Sequence, residues 1–442
     1  MTLKAGTAVV EITPPLPATL FGYPHVERVA QAVHDPLLAS ALYLENASGA
    51  VVLVALDLLF LEPPVARAMR RAVAERVGMT EENVFISCTH THSGPVTARQ
   101  LAWSDDPTVP LPDDAYLRLL SDRVVEAAAA AAGRTVAAEI AWTSADARGV
   151  GGNRHTAGGP TDPEVGILAV RARGGGQLLA AVLVYGMHPT VLHEDSRFVS
   201  ADFPHYTRQH LRERFGGELS VLYFMGPSGN QSPRFFVNGQ TFVEAERLGR
   251  QLGQAVAERL DRLAPAEFRG EGRLQGVIRR VELPARDVPT VEEAEAILAR
   301  CQAQYRRLQE HGAAPAEVRT AECAVFGAEG TLTLARLDER GAIVQALLAR
   351  RLNEVQVVRI GDGCLAGLPG ELFAEYALEI KRRGRSRVFA VSLVNGDLQG
   401  YIVTPEAASQ GCYESLTALF RPEAGKTLVD AAVAALDVLA SR

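Results

Sequence analysis

Val84-Phe85-Ile86-Ser87-Cys88-Thr89-His90-Thr91-His92-Ser93-Gly94-Pro95 is the stretch around which the chain is organised. An apolar run of strand length delivers two histidines, at positions i and i+2, into a Ser-Gly-Pro turn that cannot continue regular structure. In an extended backbone that spacing points both imidazoles to the same side. Neutral imidazole is the commonest protein ligand for zinc. The stretch therefore reads either as one or two metal ligands at a strand end or as two polar residues on an exposed turn, and His-x-His alone does not choose.

Working outward, residues 7–12 predict a short strand stopped by Thr13-Pro14-Pro15. Residues 38–46 and 50–59 are β-rich runs joined by Ala47-Ser48-Gly49, a hairpin, and a helix over 64–77 leads into the central strand. Downstream, 113–132 is an Ala-rich amphipathic helix with Gly133 as its stop. A strand over 136–142 then runs into a Gly- and Pro-rich loop at 148–163 that carries Asn153, Arg154, His155 and Asp162, a site wall or an ordinary crossover. A second hairpin, 166–173 with 178–185, ends in Gly186-Met187-His188-Pro189-Thr190, which repeats the arrangement of apolar strand, histidine and turn. A residue before proline is held extended, so His188 is aimed. His193 is a weaker candidate, and His205 and His210 fall in a helix starting near Phe203.

A strand over 219–224 ends in the small-residue turn 225–234, whose backbone amides could approach a substrate oxygen closely. Helices over 243–263 and 290–311, the strand 273–283 between them, and a largely helical 316–353 suggest a helical arm at about 286–353. Strands at 355–360 and 364–367 end in Leu368-Pro369-Gly370-Glu371, with a helix expected from Glu371 to Arg383 whose N-terminus would favour that carboxylate. A strand over 387–394, two tyrosines in polar, Gly-rich context (Tyr401 and Tyr413) and a helix over 426–441 complete the chain. The expected fold class is α/β (mixed α+β), a mixed β-sheet core covered by helices with an inserted helical arm. One domain over 1–442 is expected, because no linker-like segment interrupts it and no repeat of solenoid period occurs.

With 47% hydrophobic residues in 442, the chain can bury a large core, and a net charge of −7 argues against a nucleic-acid partner. The basic run Lys381 to Arg387 reads as a helix C-terminus and a solvated turn. Neither a cleavable leader nor a membrane-spanning apolar stretch is evident, so a cytoplasmic protein without a transmembrane segment is expected. The five cysteines are scattered and lack Cys-x-x-Cys spacing, which indicates neither a disulfide framework nor a thiolate zinc site.

His90, His92, His188, Asn230, Ser232, Glu371 and Tyr401 all follow predicted strands, where ligands collect in α/β proteins. Ala8 to Pro15, Thr89 to Pro95, Gly151 to Arg154, Thr161 to Gly166, His188 to Thr190, Ser200 to Pro204, Gly229 to Pro233, Leu368 to Glu371, Asn395 to Glu406 and Tyr413-Glu414 together resemble, in order, the catalytic domain of neutral/alkaline ceramidases. The resemblance implies a zinc amidohydrolase that cleaves an N-acyl bond, with one Zn2+ per chain held by His90, His188, Glu371 and Tyr401. It implies that His92 acts as acid or base beside the metal, that Arg154 and Tyr413 bind substrate or stabilise an oxyanion, and that Ser232 joins the catalytic set. Asn153, Gly229 and Asn230 are expected to contact substrate. The resemblance implies an immunoglobulin-like domain after the catalytic one, which is not expected within these 442 residues, and the family's Gly-Asp-x-Ser-Pro-Asn turn reads Gly229-Asn230-Gln231-Ser232-Pro233-Arg234 here. A small N-acyl compound is therefore expected in place of ceramide, and a homo-oligomer is compatible with this reading. The alternatives are a metallohydrolase of esters or phosphoesters, with a second metal at His92, His193 or Asp202, and a non-catalytic binding or scaffold protein that keeps the fold.

Overall fold

The apolar runs become strands, and the strands connect in the same way three times. In the computed structural model, which describes residues 2–350 and 352–441, the first unit contains β1 (Lys4–Glu11), β2 (Leu38–Asn46) and β3 (Gly49–Leu56), antiparallel neighbours. Helix α1 (Pro63–Val77) then crosses over to β4 (Val84–Cys88), parallel to β3, and α2 (Asp114–Ala132) packs back on β1 and β2. The second unit repeats this with β5 (Val136–Asp146), β6 (Glu164–Ala172), β7 (Leu178–Tyr185), α3 (Phe203–Phe215), β8 (Ser220–Met225) and α4 (Phe242–Asp261). The third uses β9 (Leu274–Val281), β10 (Asn353–Ile360), β11 (Gly363–Gly367), α8 (Ala374–Arg383), β12 (Arg387–Val391) and α9 (Glu423–Ser441). A parallel pair needs a crossover whereas antiparallel neighbours need only a turn, so each unit has one helix between its last two strands.

Units one and two join through Lys4 opposite Ala137 and Ala5 opposite Val136 into an eight-stranded sheet of order β8-β7-β6-β5-β1-β2-β3-β4. Unit three is a separate four-stranded sheet laid on one face of it. Period-two alternation assigns the faces: Leu42 and Leu44 meet Val358, Leu365 and Phe389 of the smaller sheet, while Ala39, Ala41 and Tyr43 meet α1 and α2. With both faces covered, the strands read as nearly continuous apolar runs. Units one and two are also tied by a buried ion pair, Arg208 of α3 donating to both oxygens of Asp57 at 2.9 and 2.8 Å, while Asp57 accepts the Leu38 amide at 3.0 Å.

Between β9 and β10, which pair along their length, the chain leaves the sheet to form α5 (Val291–Glu310), α6 (Pro315–Glu339) and α7 (Ala342–Ala349), the inserted arm. Two local expectations are corrected. The helix predicted to start at Glu371 starts at Ala374; Glu371–Leu372 instead pair in parallel with Tyr401–Ile402, because Gly370 turns the chain at φ +79°. The last strand stops at Val391, short of 394, since Leu393 and Asn395 take left-handed φ values of 57° and 64°.

Candidate active site

The site lies where strand ends from all three units converge. After β4 the chain does not stay extended, as His90 has φ +70°. The pleat therefore is not what turns His90 and His92 to a common site; a left-handed turn is, and it is pinned by the His90 amide donating to Leu58 O at 2.9 Å. Each imidazole is oriented by its Nδ1. His90 Nδ1 lies 3.0 Å from Leu59 O, His92 Nδ1 3.1 Å from Gly22 O, and His188 Nδ1 2.8 Å from Ser228 O. A carbonyl only accepts, so Nδ1 carries the proton in all three rings and Nε2 presents a lone pair. Burial, then the positive charge of Arg154, pushes His188 down to about 4; burial, then its two histidine neighbours, holds His92 well below its ordinary value.

Into this group projects Glu371, with Oε2 3.0 Å from His188 Nε2 and 3.2 Å from His90 Nε2. In the neutral rings, two imidazole lone pairs and a carboxylate oxygen facing one another form a set that a cation would satisfy. Ligands about 2.0–2.1 Å from a tetrahedral zinc stand roughly 3.3 Å apart, so the spacing fits. The buried Nε2 atoms of His90 and His92 have no hydrogen-bond partner, and ligand atoms of His90, His92 and His188 lie within 4.8 Å of one another. The residues present thus suit a divalent metal of the zinc type.

Around the cluster, Tyr401 is buried beside His188, with ring centroids 6.5 Å apart, and the Arg154 guanidinium sits 5.3 Å from the Tyr401 ring centroid. Arg154 Nε donates to Glu414 Oε1 at 2.6 Å, and His155 Nε2 lies 2.8 Å from Glu414 Oε2. Burial alone would raise the Glu414 carboxyl, but Arg154 and His155 hold it well below the usual range. Burial, then the Glu371 charge, pushes the Tyr401 phenol upward. A small cavity of about 50 Å³ touches His90, His92, Glu371, Tyr401 and Tyr413. A larger one of about 610 Å³ shares His92, Tyr401 and Tyr413 with it and is roofed by α6 and by Gln304 and Leu308 of α5.

Residues 3–219 match the family described as neutral/alkaline non-lysosomal ceramidase, N-terminal. The match spans just under half of the chain. Among solved structures it resembles the neutral ceramidase of Pseudomonas aeruginosa, with a TM-score of 0.75 and 18% identity over 100% of this chain and 75% of that one. It also resembles a structure described as ceramidase complexed with C2, with a TM-score of 0.76 and 18% identity over 100% of this chain and 76% of that one. At this identity the likeness is one of fold. No curated protein matches.

The matched segment contains His90, His92, Arg154 and His188, while Glu371, Tyr401 and Tyr413 come from the later part of the chain. The structure brings all seven together. Ser232 lines the large cavity, its backbone paired with Gly152. The three residues expected to contact substrate line neither cavity. Asn153 closes its own loop, accepting from the amides of His155 and Thr156 and donating to Pro160 O. Asn230 Oδ1 accepts the Ala374 amide at the start of α8 and its Nδ2 donates to Glu375. Gly229 abuts the backbone of 371–372, where a side chain would collide with Phe373 and Glu371 O. These residues support Glu371 and the loop. Of the positions expected for a second metal, His92 falls in a group of clustered ligand atoms; among the described residues neither such group contains His193 or Asp202, and Asp202 instead accepts the Leu192 and Phe203 amides.

Sequence reasoning missed Tyr23, whose ring lies 5.0 Å from that of His92 and whose hydroxyl donates to Leu192 O, and Arg234 and Arg319 in the large cavity. It also missed Asp397, lifted to about 7 by burial and the Glu371 charge. The Gly22-Tyr23 pair, an aromatic after glycine in a segment of irregular structure, was the one readable signal.

Proposed function

We propose that this chain is a zinc-dependent hydrolase of amide (N-acyl) bonds, with one metal per chain, acting on a small N-acylated molecule. The family match over residues 3–219 supports a ceramidase-type amide hydrolase; the observation that carries the metal is Glu371 Oε2 facing two imidazole Nε2 atoms at 3.0 and 3.2 Å. His90, His188 and Glu371 would hold the ion, with the Tyr401 phenol as a fourth ligand. Bound there, zinc supplies Lewis-acid chemistry, acidifying water and polarising a carbonyl.

The protein's own groups account for the rest. His92, neutral and desolvated, takes a proton from the attacking water at Nε2 and returns it to the leaving nitrogen as the C–N bond breaks, giving a carboxylic acid and an amine. Arg154, fixed by Glu414, and the Tyr413 phenol face the negative charge that develops on the carbonyl oxygen. The cavity beneath α6 takes the acyl chain. No helix among the described residues is long and apolar enough to cross a membrane.

The test is hydrolysis of a panel of N-acyl amides of graded chain length, before and after chelation and zinc return. Amine release that chelator abolishes and zinc restores is expected. Release of equal rate in chelator would refute the metal assignment, and ester cleavage without amide cleavage would move the reaction to another bond.

A further inference from the structure

Three guanidinium groups reach the wall of the 610 Å³ cavity, and two of them are neutralised by the protein. Arg154 is paired with Glu414, and Arg319 with Glu194 and Glu322. Arg234 is different. Its Nη1 donates to Arg154 O at 3.1 Å and to Thr320 Oγ1 at 3.0 Å, and its Nη2 contacts Cys323 Sγ at 3.5 Å. None of these partners is a carboxylate, and among the described residues no acidic side chain forms an ion pair with it. Its Nε has no protein acceptor among those residues either. A guanidinium held partly out of water without a carboxylate in contact is costly; burial lowers its pKa, and the like charges of Arg154 and Arg319 oppose the more distant help of Cys323 and Glu414. Glu317, the remaining acid at this cavity and without a basic partner among the described residues, is exposed on α6.

We infer that Arg234 binds a carboxylate on the substrate, so that the cavity accepts an N-acylated amino acid or similar anionic N-acyl compound in preference to a neutral amide. The inference rests on the hydrolase reading above and names its substrate class. Arg234 is joined to Arg154 through the Arg154 carbonyl, which sets its charge beside the group assigned to the oxyanion. Val26, Phe235, Leu308, Ala316 and Phe326 give the same cavity an apolar surface for the acyl chain. A cavity of this size holds a ligand of that bulk. The planar fork of arginine matches a carboxylate, and a neutral analogue would leave the charge unanswered.

The experiment compares kcat/KM of the zinc-loaded full chain on N-dodecanoylglycine and N-dodecanoylethanolamine, which differ only in carboxylate against hydroxymethyl. A preference of at least about tenfold for the glycine conjugate is expected, in line with a desolvated polar pairing. In Arg234→Gln the preference should collapse mainly through KM, and Arg234→Lys, which keeps the charge but not the fork, should retain part of it. Equal use of both amides by the parent, or an equal fall for both in Arg234→Gln with the preference unchanged, would overturn the inference. If the parent hydrolyses neither amide, the hydrolase reading fails separately and calorimetric binding of N-dodecanoylglycine decides: tenfold weaker binding in Arg234→Gln supports the carboxylate site, and unchanged or absent binding refutes it.

Discussion

The floor and the roof of the site are built on opposite principles. On the floor, His90, His92, His188 and Glu371 stand at strand ends, and each imidazole is fixed by a backbone carbonyl. The roof is α5 and α6, a helical excursion between two strands that pair with each other. It reaches the rest of the site through side chains, among them Thr331 Oγ1 donating to Leu416 O at 2.6 Å, Arg234 donating to Thr320 Oγ1, His25 against Glu329, and Arg319 bridging to Glu194, with Gly327 packed on Tyr413. A floor anchored by backbone fixes the chemistry to within a fraction of an ångström, while a roof attached by side chains can vary and so sets what is bound.

The largest effect should come from the floor. Glu371→Gln keeps the shape but removes the anion; kcat/KM should fall by more than the roughly 10–100-fold typical of outer-sphere changes at metal sites, with the melting temperature of the metal-free protein changed little. A fall of only a few-fold would break the contrast. Beneath the floor, Arg208→Ala strands the buried Asp57 charge and should cost about 3–5 kcal/mol in a denaturant titration. A loss under 1 kcal/mol would show that the two sheet units do not depend on that pair.

Coupling between the regions is tested at Gly327, where a Cβ would meet Leu416 Cβ at 3.0 Å and Tyr413 Cα at 3.1 Å. Gly327→Val should cost about 1–3 kcal/mol by overpacking and lower kcat by shifting Tyr413. Unchanged kcat would mean that Tyr413 does not depend on the roof for its position. The smallest effect concerns pH. Burial would raise the Glu194 carboxyl, but the His193 hydrogen bond and the Arg319 charge hold it at about 2 against an ordinary 4.5. A carboxyl lowered in the folded state stabilises it above its ordinary pKa, and that contribution disappears as pH falls from about 4.5 toward 2. Hydrogen exchange of the α6 amides should therefore rise over that window in the parent and not in Arg319→Ala. Identical profiles in the two proteins would remove the strap.

The same contrast explains what could be read from sequence. Strands and crossover helices were legible because burial on both faces imposes apolar runs, and Gly133 and the Thr13-Pro14-Pro15 stop punctuate them. His90 and His188 stood out by position after such runs. Their convergence with Glu371 was legible only through the family resemblance, because it depends on how three units pack, and the left-handed turn at His90 leaves no trace in an alternating pattern. The pairing of Glu371 with Tyr401 was hidden by a two-residue ladder too short to register. Arg234 was read only as a departure in the altered turn and Arg319 drew no reading, since only the inserted helices make a cavity wall of them.

The most direct test of the central claim is the zinc content of untagged protein purified without chelator, measured by elemental mass spectrometry beside His188→Ala. The account predicts about one zinc per chain in the parent and its loss in the variant, with the variant still folded by circular dichroism. A parent that binds no metal even when zinc is offered, or a variant that retains a full equivalent, would contradict it.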